Sequence, residues 1–292
     1  MEYVLIYILN GLYFTSFVFL TSLGLNIILG VMGILNLAHG ALYAIGAFVA
    51  AWLIGSMFAG MSVLLILAGG LVAAIGIAGA CGLLMEISFI RPMYNRTLEY
   101  QLLITFGAML AVEGLIKMIW GGQSYYASAP FVSMGSIEIV GSVYPVYFIF
   151  AMVLSFATGF GLWLLLSKTR LGIMLRAISM DREMAQAMGI RIKWFNTLAF
   201  ALGAGLAGLA GALIIPTTPA TLGIGMDPLI RAFIVVVIGG LGSLRGALLG
   251  SLIVGETRSF GVAYFPEIEL PLLFLVAVVI LVVKPEGLFG SK

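Results

Sequence analysis

The chain has 292 residues, of which 62% are hydrophobic and only 9% charged, and its formal net charge is +2. An average soluble domain carries about 25% charged residues, so a soluble globular protein is excluded, and so small a surplus of cations gives no basic face for nucleic acid. A single cysteine excludes an internal disulfide.

From Tyr3 to Met85 there is no Asp, Glu, Lys or Arg. A transmembrane helix takes roughly 20 apolar residues, so this run alone holds several spans. In lipid only helices and closed barrels satisfy the backbone. The apolar runs are continuous rather than alternating, which excludes a barrel. The fold class expected is an all-α, polytopic transmembrane helical bundle, read as one domain over residues 1–292.

The first span is expected over about Tyr3–Leu29; Glu2 precedes it without a basic region, so it reads as a span and not a cleaved signal. A glycine-punctuated break follows, Gly30–Gly40, and then spans over Ala41–Met57 and Ser62–Met85. The polar segment Glu86–Tyr100 leads to a span at Gln101–Trp120. A longer polar segment, Gly121–Tyr144, precedes a span at Pro145–Leu166. After the island Ser167–Lys193, a sixth span is expected at Trp194–Ile214. Leu229–Leu241 and Pro271–Val283 are short for perpendicular spans, and Ala247–Tyr264 lies between them. The count is about eight or nine spans, some of them interrupted.

Segments 86–100, 167–193 and 284–292 carry ten of the fourteen Lys and Arg, whereas 121–144 and 215–228 carry none. Basic loops stay cytoplasmic, which predicts the N-terminus outside and the C-terminal tail inside. Lys117, Arg231 and Arg258 then fall near the outer face, each close in sequence to an acid: Glu113, Asp227 and Glu256.

Two stretches look alike: Gly30-x-x-Gly33 followed by Gly40-Ala-Leu, and Gly239-x-x-Gly242 followed by Gly246-Ala-Leu. Paired interruptions in the two halves of a transporter point to its central pathway; glycine-rich apolar sequence also matches itself by chance. On the first reading Asn36, His39 and Gly40, with Gly239, Gly240, Gly242 and Ser243, line a translocation path. On the other, Asn36 caps a helix and His39 bonds a neighbouring carbonyl. One imidazole without Cys or His nearby makes no metal site. Gly203, Ala207 and Gly211 stand four apart and read as a close helix contact.

Within the island, Ser179–Met188 has helix-forming residues, acids at its start and Gly189 as a stop. Ten residues give a helix of roughly 15 Å, too short to span. Met180, Met184 and Met188 form one face, suited either to a groove on a partner or to the lipid headgroups. No string ends in Gly-Lys-Ser/Thr as a phosphate loop must, and no catalytic constellation is present. The chain is expected to bind no cofactor and to be no ATPase.

The strings RAISMDREMAQAMGIRIKWFNTLAFALGAGLAGLAGAL, GVMGILNLAHGALYAIGAF and VVVIGGLGSLRGALLGSLIVGE resemble the permease subunits of Liv-type branched-chain amino acid ABC importers, within a wider family that includes ribose-type sugar permeases. The resemblance runs over nearly the whole chain, which looks like the shorter permease of such pairs. It implies a prokaryotic inner-membrane protein paired with a second, homologous permease. It also implies two cytoplasmic ATP-binding subunits that use ATP and Mg, and a periplasmic or lipid-anchored binding protein. The cargo implied is a branched-chain or related amino acid, with urea and short-chain amides in close relatives. The loop within 167–193 becomes a coupling helix facing the ATPase, with Arg176, Ala177, Met180, Asp181, Arg182, Glu183, Met184, Ala185, Met188, Gly189 and Ile190 at the contact. A self-sufficient secondary carrier is the alternative of a different class.

Overall fold

The computed structural model describes residues 2–57, 62–139 and 141–290. The Glu2 side chain and residues 291–292 of the expected inner tail lie outside the described residues. Among the described residues the chain is helical apart from one hairpin. The α-helices are α1 (Glu2–Met32), α2 (His39–Trp52), α3 (Val63–Met85), α4 (Leu98–Trp120), α5 (Ala129–Ser133), α6 (Val146–Lys168), α7 (Arg170–Met180), α8 (Arg182–Ala187), α9 (Ile192–Ile214), α10 (Met226–Gly239), α11 (Leu244–Tyr264) and α12 (Glu269–Val283). Six helical stretches are long and apolar enough to cross a membrane: Val4–Met32, Val63–Met93, Leu98–Trp120, Val146–Lys168, Ile192–Ile214 and Pro266–Val283.

The bundle is built around α1 and α9. Most of each is buried inside the chain, whereas α4, α6 and α12 turn most of their apolar surface outward. The reason is composition. α9 carries small residues along its whole length, so neighbours approach to backbone contact. A Cβ on Gly24 of α1 would lie 2.5 Å from the Gly203 carbonyl oxygen of α9, and one on Gly46 of α2 would overlap the Gly208 oxygen. α11 runs antiparallel to α1, with Tyr7 beside Ser259, Thr15 beside Ser251 and Asn26 beside Ser243.

Two helices are interrupted, as the glycine pattern predicts. α1 ends at a left-handed Gly33 (φ 69°), whose N–H donates to the Leu29 carbonyl at 2.9 Å. The chain then doubles back, and α2 starts beside the middle of α1: His39 Nε2 lies 2.9 Å from the Thr21 carbonyl, eleven residues or roughly 16 Å before Met32. α10 starts at the same level, where Gly40 and Gly225 are in backbone contact. Two half-length helices therefore meet by their first turns inside the bundle.

The segment between α4 and α6, expected as a polar connection, carries a short hairpin in the otherwise all-α bundle. It folds as α5 and an antiparallel hairpin, β1 (Ser136–Ile139) with β2 (Ser142–Pro145), Ile137 opposite Tyr144. The Tyr144 hydroxyl donates to the Leu9 carbonyl of α1 at 3.0 Å. Burial pushes this hydroxyl up to about 12.

Of the cations expected near the outer face, Arg231 keeps its sequence neighbour and gains a second acid, whereas Arg258 takes a different one. Arg231 bonds Asp227 at 2.8 Å, as the four-residue spacing allows, and also Glu269 of α12 at 2.7 Å. Arg258 pairs with Glu269 at 3.2 Å rather than with Glu256. Arg231 is 4% exposed, so it is a buried cation and not a snorkelling one.

Candidate functional site

The polar island folds as two short helices, not one. Thr169 is extended, and its hydroxyl oxygen accepts from the Gly172 N–H at 3.3 Å, starting α7. α7 stops at Met180. Asp181 is extended (φ −150°, ψ 102°), and its Oδ1 accepts from the Met184 N–H at 2.8 Å, so it caps α8. The expected single helix Ser179–Met188 is thus divided at Asp181. A short carboxylate competes for backbone N–H groups and favours a cap over a helix interior. α8 closes with Gly189 at φ 85°; the Gly189 N–H donates to the Gln186 carbonyl and the Ile190 N–H to that of Ala185, the glycine stop that satisfies terminal carbonyls.

This places the loop residues on two sides. Ala185 is buried and seats α8 on the bundle, with Arg182 and Ile190 half-buried beside it. Met180, Met184 and Met188 are 87%, 60% and 77% exposed, with Arg176, Asp181, Glu183 and Gly189 around them. Ala177 is half-buried on α7. Three exposed methionines beside short charged groups make an adaptable apolar face.

Beneath α8 lies a knot that sequence reasoning missed. Glu86 is fully buried at the start of the π-turn Glu86–Ile90 that follows α3. It receives Arg91 through Nη2 at 2.8 Å and Nε at 3.2 Å, the Thr197 hydroxyl of α9 at 2.7 Å, and the Tyr94 hydroxyl. The Arg182 guanidinium of α8 sits 5.4 Å over the Tyr94 ring, within cation–π range. Burial, followed by the bond to Glu86, raises the Tyr94 hydroxyl above the usual phenol range. α8 is therefore linked through Arg182, Tyr94 and Glu86 to α3 and α9. The available signal was Glu86 itself, the first charge after a long uncharged run, but its partners lie up to 111 residues away.

Most residues expected along a path sit inside the chain, whereas Gly242 is exposed and Ser243 half-buried. Asn36 and His39 have no exposure; the Asn36 Oδ1 accepts from the Ala38 N–H at 3.1 Å, and His39 reaches the Thr21 carbonyl. Gly40 packs on Gly225. Gly239 and Gly240 are buried under the returning tail, where the Leu288 N–H donates to the Ile238 carbonyl and the Phe289 N–H to that of Gly239. The two glycine breaks touch at Gly30 and Gly242. A second missed residue, Asn26, clamps that contact: its Oδ1 accepts from the Gly242 N–H at 2.6 Å and its Nδ2 donates to the Ser243 carbonyl at 2.8 Å. The Ser243 hydroxyl then caps α11 by accepting from the Gly246 N–H. A lone amide in an apolar span is the signal that marked Asn26. Among the described residues no group of three His, Cys, Asp or Glu could hold a metal ion.

Residues 7–283 match the family model for the permease component of branched-chain amino acid transport systems. The chain is similar to the high-affinity branched-chain amino acid transport system permease protein BraD of Pseudomonas aeruginosa, 29% identical over 97% of this chain and 94% of that one. It is similar also to the permease protein LivH of Escherichia coli K12, 28% identical over 96% and 94% of the two chains. Among solved structures, PsaBC from Streptococcus pneumoniae in complex with Fab matches 94% of this chain and 89% of that chain, at 16% identity and a TM-score of 0.41.

Proposed function

The chain belongs to the family of permease components of branched-chain amino acid transport systems, and from that premise we propose that it is the membrane-spanning subunit of an ATP-driven importer for branched-chain or related hydrophobic amino acids. It pairs with a second, homologous permease. Two ATP-binding subunits, which hold the ATP and Mg, dock on its basic end in the cytoplasm. A periplasmic or lipid-anchored binding protein delivers cargo to the opposite end. The N-terminus lies outside and the tail inside, in keeping with the segregation of basic residues.

One observation carries the coupling assignment: α8 presents exposed methionines outward while its inner side is tied to Glu86. A displacement of α8 by the ATPase reaches α3 and α9 through groups already in contact. α9 is among the most buried helices of the bundle, with α1 and α2 packed on it, so a small tilt there changes the packing of α1 and α2 as well. The glycine breaks beside Gly40 and Gly242 give the half-helices α2 and α10 ends that can shift without breaking a continuous helix. Asn36, His39 and Gly240 lie along these joints, and the path opens next to them when the helices tilt.

The test is ATP-driven uptake by the assembled complex in proteoliposomes. Replacing Met184 and Met188 together by Asp puts two carboxylates on the docking face without touching the buried side of α8. Uptake is expected to fall by about 10-fold or more, the scale of losing central contacts in an interface. Unchanged uptake refutes the coupling role. Accumulation by the purified chain alone, with no ATPase present, replaces the importer reading by a secondary carrier.

A further inference from the structure

At the end of the bundle opposite the basic loop, a cleft of about 450 Å³ opens between α1, α6, α9 and α11. The apolar part of its lining is Phe14, Phe17, Phe148 and Val262. The polar part is Asn10, Tyr13, Thr217, Arg258 and Ser259, with Arg258 over Phe14 and Tyr13 stacked on Phe148. No carboxylate lines it, and Arg258 is its one charged side chain among the described residues.

Arg258 is under-paired. Its guanidinium sits over Phe14, with the central carbon 3.9 Å from the ring centroid. Its nearest acid, Glu269, already accepts Arg231 at 2.7 Å, and the Arg258 Nε, 3.2 Å away, makes no aligned hydrogen bond. Arg258 lies six residues, roughly 9 Å, before the end of α11 at Tyr264, and its side chain is 36% exposed. A half-exposed guanidinium with spare N–H groups can meet an anion in the cleft. The rest of the polar lining has a fixed sense. The Thr217 hydroxyl donates to the Ile214 carbonyl at 2.8 Å, so in its 2.9 Å contact with Tyr13 it accepts. Tyr13 therefore spends its proton on Thr217 and offers the cleft an acceptor oxygen, beside the Asn10 amide. The cleft thus presents a cation, hydroxyl and amide acceptors, and an apolar lining in one space.

We infer that this cleft is a recognition site for a zwitterionic amino acid with an apolar side chain: Arg258 takes the α-carboxylate, Tyr13 and Asn10 accept from the α-ammonium, and Phe17, Phe148 and Val262 meet the side chain. The inference rests on the amino-acid importer reading and adds to it a site in the permease itself. Glu269, which also takes Arg231, is a positioning residue for the Arg258 guanidinium.

The experiment measures transport kinetics of the complete complex in proteoliposomes at saturating binding protein, with leucine, alanine and leucinamide. Arg258→Gln is expected to lower kcat/KM for leucine about 10-fold, as loss of a charge-assisted bond at a partly exposed site does. It should leave the far slower transport of leucinamide, which has no carboxylate, within twofold; Arg258→Lys should recover part of the loss. Val262→Trp leaves the polar lining intact and narrows the apolar part, so uptake of leucine should fall at least fivefold more than that of alanine. If wild-type complex moves leucine and both Arg258→Gln and Val262→Trp leave its kinetics and the leucine-to-alanine ratio unchanged, the site is overturned and the importer reading stands. If equal losses for leucine and leucinamide follow from Arg258→Gln, the arginine serves packing or the second permease, and the recognition site is refuted. If wild-type complex moves no amino acid, both readings fall.

Discussion

Replacing Glu86 by Gln tests the link between α8 and the bundle with the least change of shape. The side chain keeps its length, and one carbonyl oxygen remains to accept from Tyr94 or Thr197. It loses the charge that holds Arg91 through two nitrogens at 2.8 and 3.2 Å, and its new NH2 faces the guanidinium. A hydrogen bond to a charged group is worth about 1.5–3 kcal/mol and a neutral one about 1. Arg91 keeps 32% of its side chain exposed, so its share is screened and it can turn toward water. Two charge-assisted bonds, from Tyr94 and Thr197, weaken or break, and the discounted ion pair is lost. The expected cost is about 2–3 kcal/mol, less than the 3–5 kcal/mol of stranding a fully buried charge. Denaturation of the purified chain in detergent reads the stability term. ATP hydrolysed per amino acid imported reads the coupling term, and this ratio should rise about fivefold or more because α8 no longer drags α3 and α9. A variant within 0.5 kcal/mol of wild type, with an unchanged ratio, refutes the proposal that the Glu86 knot transmits motion.

Two further changes probe the frame around it. Asn26→Leu is close in volume but strands the Gly242 N–H and the Ser243 carbonyl, one on an exposed and one on a half-buried residue; about 1–3 kcal/mol of stability should be lost, read by detergent denaturation, and a loss below 0.5 kcal/mol means the turn re-satisfies itself. Gly46→Ala puts a methyl group into the Gly208 carbonyl, so α2 and α9 must part. Overpacking of this kind costs about 1–3 kcal/mol, and crosslinking yield between cysteines introduced at the α2–α9 contact should fall; equal yield shows that the helices slide without separating.

Much of this architecture was legible because lipid imposes few choices. Apolar run length placed the long helices, and glycine punctuation marked where α2 and α11 begin. The glycine rows on α9 predicted that neighbours would approach to backbone distance. What stayed hidden depends on residues brought together from far apart. Arg258 looks like the partner of Glu256 in sequence, yet it shares Glu269 with Arg231, because α12 returns beside α10. Arg231 reads as a snorkelling cation until that return encloses it. Glu86, Tyr94 and Thr197 are unremarkable singly, and their meeting follows from how α3 packs on α9. The division of the loop helix at Asp181 was a local matter; the same carboxylate that can begin a helix can interrupt a longer one, and the capping bond to Met184 decides between them.

The antiparallel match of α1 with α11 sets an order of assembly in time. α1 is made first, yet Thr15 and Asn26 find their partners at Ser251, Gly242 and Ser243, more than two hundred residues later in synthesis. Until α10 and α11 arrive, the amide of Asn26 must be borne by insertion machinery, by lipid headgroups or by borrowed contacts. The helix at the centre of the finished bundle is therefore the one that waits longest for its contacts during biogenesis, and a stalled or shortened chain exposes its polar stripe to membrane quality control.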